Sequence, residues 1–324
     1  MDGVTRAAGT GTRVTWPCRR VVEQFLKDGR SLRGFNAVFG GDIPRGAGLS
    51  SSAALESAAA YALNQLFDLG YGPLDLALKS QAAENEFVGV KCGLMDQFAS
   101  IFGRKGHLIK LDCATREHTY IPFTAKDISI VLFDTQVKHS LASSAYNERR
   151  GECEAGVALV REHNADARSL RNVSEDMLLR YVKPVDETIY RRCSYVVAEM
   201  ERLQKACDHL QENDFVQFGR RMFETHEGLR DLYEVSCREL DILVDLVKDH
   251  PAVLGARMMG GGFGGCTVNL VRSEAAAALS ATVTDRYNAA TGMQLTTYFV
   301  NIEDGTGTVN ESFPEAGMAR GGRR

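Results

Sequence analysis

The sequence predicts an α+β protein of two domains, and three observations carry that prediction. Strand-like and helical segments do not alternate regularly enough for a doubly wound sheet. A glycine-rich loop runs directly into an alanine-rich helical pattern between Gly46 and Phe67. The long stretch from Tyr146 to Asp249 reads as almost wholly helical, and strand patterns return after it.

Element by element, Val21–Lys27 reads as the end of a helix stopped by Gly29, and Phe35–Phe39 as a short strand closed by Gly40, Gly41 and Pro44. Ala53, Ala54, Leu55, Ala58, Ala59, Leu63, Leu66 and Phe67 recur at helical spacing behind the Ser50–Ser52 run, whose residues suit an N-cap. A second helix is expected over Leu74–Glu86 and a short third over Leu94–Ile101, opened by a turn at Gly93. Strands follow at His107–Leu111, His118–Ile121 and Ile128–Phe133. The helical stretch is broken at Asn164, Pro184 and Asn213. A strand at Cys266–Val271, a helix over Glu274–Ala289 and a strand at Gln294–Val300 complete the pattern. The halves differ in character, with a boundary near Thr124–Asp127. Residues 1–12 read as loose.

The 324 residues are 44% hydrophobic and 25% charged, a balance that buries a substantial core. Lys and Arg number 38 against 42 Asp and Glu, and a formal charge of −4 implies neither a nucleic-acid nor a membrane-surface partner. Eight cysteines stand singly without a CxxC pair, so no zinc or thioredoxin-like site is signalled. Reduced thiols in a cytoplasmic protein are the expectation. No apolar leader opens the chain, and no run reaches the ~18 residues of a membrane span.

Two glycine clusters compete as phosphate sites. Gly46-Ala47-Gly48-Leu49-Ser50-Ser51-Ser52 precedes a helix N-terminus, where free N–H groups and the dipole favour an anion. It is not a Walker A loop, because Ala47 and Gly48 stand where Lys and Ser/Thr are needed. Nor is it a nucleophile elbow, since no glycine follows at the required spacing. An ordinary tight turn with a serine cap fits the bare spacing equally well. The second cluster, Gly260–Gly265, spells GxGxxG, but the following CTVNLV is strand-like, so the dinucleotide reading fails on context. A run allowing two backbones to pack closely is the plainer reading.

Four segments together resemble the galactokinase family of the GHMP small-molecule kinases. GDIPRGAGLSSSAALE at 41–56 is similar to the family's ATP-binding motif and VGVKCGLMDQF at 88–98 to its catalytic segment. LFDTQVKHSLASSAYNERRGECE at 132–154 resembles the stretch that carries a sugar-binding tyrosine, and MMGGGFGGC at 258–266 the third family motif. The resemblance implies a ribosomal-protein-S5-like N-terminal domain over 1–124 and a ferredoxin-like C-terminal domain over 125–316, and the composition of Gly317–Arg324 reads as a disordered tail. It implies phosphorylation of the galactose C1 hydroxyl by ATP with Mg²⁺, in a cytoplasmic monomer. Another sugar-1-kinase, or a non-catalytic galactose and ATP sensor, are the alternatives.

Residue by residue, the resemblance makes Asp96 the base and Gly93 and Tyr146 sugar contacts. It makes Gly46–Ser52 the phosphate loop, and Ser52 and Glu84 the Mg²⁺ ligands. The chemistry is consistent with these types. Asp96 falls in the first turn of an expected helix, where the dipole suits a carboxylate poised to accept a hydroxyl proton. Hard oxygen ligands suit Mg²⁺. His139 reads as structural, Arg45 as a solvated charge and Arg149-Arg150 as a helix face. Galactokinases normally open with a segment of the kind GRVNLIGEHTDY, and this chain has nothing like it. The expectation is therefore an incomplete S5-like sheet and low activity.

Overall fold

The computed structural model describes residues 16–309, apart from 45, 89–91 and 138–141. Arg45, His139, the loose N-terminal stretch and the tail from 317 therefore lie outside the described residues. Helix α1 (Trp16–Lys27) ends where Gly29, at φ 75°, donates its N–H to Leu26 and turns the chain. Helices α2 (Ser51–Leu66), α3 (Pro73–Val88) and α4 (Met95–Phe102) follow. Val21, Phe25, Ala60, Leu63, Leu76 and Ala83 lock α1, α2 and α3 into one core. The small Ala60 and Ala83 let helix backbones approach closely.

Strands β1 (His107–Leu111) and β2 (His118–Pro122) pair antiparallel as a two-stranded sheet. Phe35–Phe39 does not form the expected strand. No ladder partner lies beside it among the described residues, and the Phe35 ring instead rests on Phe67 with centroids 5.9 Å apart.

Strand β3 (Ile128–Asp134) begins a second, four-stranded sheet. The helical stretch after it comprises α5 (Ala142–Arg161), a single turn α6 (Glu175–Met177) widening into a π-type turn to Val182, α7 (Glu187–Gln211), α8 (Phe215–Asp231) and α9 (Arg238–Val247). The expected breaks have visible causes. The Asp186 carboxylate accepts the Thr188 and Ile189 N–H groups to start α7, and Asp214 accepts the Gln217 N–H to start α8. A further break at 232–237, not signalled by glycine or proline, separates α8 from α9.

Strands β4 (Val253–Met258) and β5 (Cys266–Arg272), helix α10 (Ser273–Thr291) and strand β6 (Thr296–Val300) complete the sheet in the order β4-β5-β3-β6, antiparallel throughout. With two helical crossovers, β3–β4 and β5–β6, this is the ferredoxin-like arrangement. The sequence reading missed β4 because Gly255 and Ala256 weaken its pattern. The reason for Gly255 is contact: a β-carbon there would stand 2.4 Å from the Gly219 Cα of α8.

The central strand β3 alternates. Val131 and Phe133 face the core formed with α9 and α10, while Leu132 faces Ala47 and Cys266. One face of the sheet thus makes the core of the C-terminal part, and the other seats the glycine loop before α2. That second contact positions the site.

Candidate active site

The loop that enters α2 is left-handed at Gly46 (φ 77°), Gly48 (φ 72°) and, unusually for a residue with a side chain, Ser50 (φ 52°). Ser50 occupies the cap position, yet its hydroxyl makes no capping hydrogen bond. The serine-cap expectation fails at this residue, because the left-handed backbone turns the side chain away from the first helical turn. Among the described residues the first-turn N–H groups of α2 thus have neither an intrahelical partner nor a cap from Ser50, an arrangement suited to an anion.

Gly260–Gly265 is the turn between β4 and β5 and packs onto this loop. The Cys266 thiol donates to the Ala47 carbonyl at 3.0 Å, and a β-carbon on Gly48 would lie 3.5 Å from the Gly265 Cα. A β-carbon on Gly261 would stand 3.4 Å from the Tyr146 ring. The second glycine cluster therefore serves close packing. It holds the first cluster on one side and Tyr146 on the other.

The segment before α4 is tied to α3. The Cys92 N–H donates to Asn85 Oδ1 at 3.1 Å, and Gln81 Nε2 donates to the Cys92 carbonyl at 3.1 Å. Burial, then the charges of Glu84, Asp96 and Glu56, push the Cys92 thiol up to about 11. Tyr146, on the first turns of α5, completes the group. The Gly93 backbone reaches its hydroxyl, and burial, Cys92 and Asp96 raise its pKa while Arg150 and Gly93 lower it. The structure thus brings Gly93, Asp96 and Tyr146 together, with Glu84 beside them. Asp96 itself is exposed in the first turn of α4. Arg149 and Arg150 pair with Glu152 and Glu154 on their own helix.

Sequence reasoning missed two residues here. Glu56, only 2% exposed, lies one turn after Ser52 and accepts its hydroxyl at 3.4 Å. Gln97, 1% exposed, donates to Glu84 Oε2 at 3.1 Å. Glu56 Oε2 is buried without a hydrogen-bond partner among the described residues. Burial first, then the neighbouring Glu84 carboxylate, raise the Glu56 acid to about 9. The i,i+4 spacing from Ser52, and the adjacency of Gln97 to Asp96, were the available signals.

Among the described residues no three His, Cys, Asp or Glu side chains form a complete metal cage. Mg²⁺ does not require one, since it keeps waters and phosphate oxygens and takes one or two carboxylates. The Glu84 carboxylate and the Ser52 hydroxyl, backed by the buried Gln97 and Glu56, are hard oxygen donors of the kind such an ion suits.

The sequence matches the GHMP kinases N terminal domain over residues 17–104 and the GHMP kinases C terminal domain over 203–289. It is 41% identical over 285 residues to the galactokinase of Thermotoga neapolitana, covering 88% of this chain and 79% of that protein. The chain belongs to the galactokinase family. A galactokinase from Roseiflexus sp. is 39% identical over 294 residues, covering 91% of this chain and 75% of that one. The crystal structure of Lactococcus lactis galactokinase complexed with galactose has the same fold, with a TM-score of 0.81 at 32% identity, covering 92% of this chain and 77% of that one. The described parts of the galactokinase-like segments at 41–56, 88–98, 132–154 and 258–266 are neighbours in space here, joined through Gly48, Gly265, Gly261, Tyr146 and Gly93.

Proposed function

We propose that the chain transfers the γ-phosphoryl group of ATP to the C1 hydroxyl of α-D-galactose, giving α-D-galactose 1-phosphate and ADP. The observation that supports this most is the meeting of Asp96, Gly93 and Tyr146 beside the Glu84 carboxylate, in a chain 41% identical to a galactokinase.

The uncapped first turn of α2, with Gly46–Ser52, receives phosphate oxygens on backbone N–H groups. Close backbone approach there is why glycine and small residues occupy the loop. The Tyr146 hydroxyl, beside the Gly93 backbone, is placed to donate to a sugar oxygen. Asp96 takes the proton of the C1 hydroxyl as that oxygen bonds to phosphorus and the bond to the β-phosphate oxygen breaks. Transfer of this kind depends more on positioning and charge neutralisation than on a strong base. Ser52 and Glu84 are the residues to hold Mg²⁺, which supplies neutralisation of charge on the phosphate oxygens.

The matched relatives are galactokinases, which favours galactose over other sugars, and the presence of Asp96 favours catalysis over sensing. The test is phosphorus NMR of the protein with MgATP and either galactose, N-acetylgalactosamine or glucose. A sugar 1-phosphate signal growing with galactose, at whatever rate, is the expected result. Growth with N-acetylgalactosamine instead, or with no sugar, overturns it.

A further inference from the structure

A carboxylate inside a helical core is costly unless its oxygens are satisfied. Glu56 is such a group: it is 2% exposed, and its neighbours along α2 include the buried Ala53, Ala59 and Ala60. One oxygen accepts the Ser52 hydroxyl at 3.4 Å, and the other has no hydrogen-bond partner among the described residues, with Glu84 and Gln97 as its polar neighbours. An apolar side chain at 56 would incur neither cost. The direction of the Ser52 bond is informative. Because Oγ–H points back at Glu56, both lone pairs of the Ser52 oxygen are left for an acceptor-seeking ligand outside the helix. Glu84 is fixed in a parallel way by the buried Gln97 amide at 3.1 Å. Each candidate ligand of the cation thus has a buried polar residue behind it.

We infer that Glu56 is a positioning residue of the divalent-cation seat, orienting the Ser52 hydroxyl from behind. The inference rests on the reading of Ser52 and Glu84 as the cation ligands. Residues behind metal ligands commonly change metal affinity by ~10–100-fold when replaced. A purely structural Glu56 would instead show itself in stability alone.

The experiment titrates Mn²⁺ into the protein with ADP present, followed by electron paramagnetic resonance. The variants are Ser52→Ala, Glu56→Gln, their double mutant, and Glu56→Met. Glu56→Gln is expected to weaken Mn²⁺ binding by ~10-fold or more. In the Ser52→Ala background the same change is expected to cost less than about threefold, because the residue through which it acts is gone. Affinity for metal-free ADP stays unchanged, and Glu56→Met retains or gains thermal stability while losing Mn²⁺ affinity. Equal weakening in both backgrounds, or none in either, overturns the role of Glu56. So does unfolding of Glu56→Gln and Glu56→Met, which makes the carboxylate a structural part of the core. Ser52→Ala with unaltered Mn²⁺ affinity overturns the seat itself, and this inference with it.

Discussion

Gly48 and Gly265 pack backbone against backbone: a β-carbon on Gly48 would stand 3.5 Å from the Gly265 Cα, and one on Gly265 would stand 3.3 Å from the Ala47 carbonyl oxygen. Both residues are left-handed, at φ 72° and 81°. The β4–β5 turn therefore sets the position of the loop that opens α2. Gly265→Ala imposes a backbone penalty of ~1–2 kcal/mol and presses on Ala47. Thermal denaturation should report the lost stability, and calorimetry should show weaker ATP binding with galactose binding little altered. ATP affinity equal to the parent's would show that the loop does not depend on the turn.

Asp96 should be separable from binding. Its carboxylate is exposed at the start of α4, while the buried Gln97 and Phe98 beside it secure the helix. Asp96→Asn preserves shape and should leave ATP and galactose affinity largely intact. A positioned base contributes ~10²–10⁴-fold, so kcat should fall by at least ~10²-fold. A variant retaining more than half of the parental kcat would remove Asp96 from proton transfer.

The parts of this fold that were legible in the sequence are those with strong local signals. β1 coincides with its expected span at His107–Leu111, a short run holding Leu108, Ile109 and Leu111 that follows Gly106. β4 was invisible because Gly255 is there to meet Gly219, a tertiary contact between residues far apart in sequence. Phe35–Phe39 had the composition of a strand, but a strand is made by its partner, and none lies beside it among the described residues. The motifs indicated Asp96, Glu84, Tyr146 and the serine loop. What they did not convey was the support behind these residues: Glu56 and Gln97 read as ordinary helical residues until burial showed their carboxylate and amide facing the candidate ligands. The left-handed Ser50 was equally hidden, since serine in a loop usually signals a cap.

Tyr146 offers a narrower test. Its hydroxyl meets the Gly93 backbone, and its ring lies against the β4–β5 turn at Gly261. Tyr146→Phe keeps the ring packing and deletes the hydroxyl. One neutral hydrogen bond contributes about 0.5–1.5 kcal/mol, so KM for galactose should rise by ~2–13-fold while KM for ATP stays near the parental value. A rise in KM for ATP alone would place the tyrosine with the nucleotide rather than the sugar.

Away from the site, Arg192 ties α7 to the 232–237 segment. Its side chain is only 3% exposed; it donates to the Leu232 carbonyl and to Glu234 Oε2 at 2.6 Å, and its Nε lies 3.4 Å from Glu152 Oε2. Removing one partner of a fully buried pair usually costs ~3–5 kcal/mol, and Arg192→Ala, which leaves a half-exposed Glu234 behind, should cost less than that by denaturant unfolding. Glu234 is more exposed, so its own share is smaller. Its hydrogen bond from Arg192 holds its carboxyl below the ordinary range. A depressed carboxylate contributes stability above its unfolded pKa of about 4.3, and loses that contribution as pH falls through the lower folded value. The Tm difference between the parent and Glu234→Gln should therefore be fully present at neutral pH and shrink as the solution is acidified below the ordinary glutamate range. A difference that stays constant across that range, or grows on acidification, would show that the Arg192–Glu234 pair does not link α7 to this turn electrostatically.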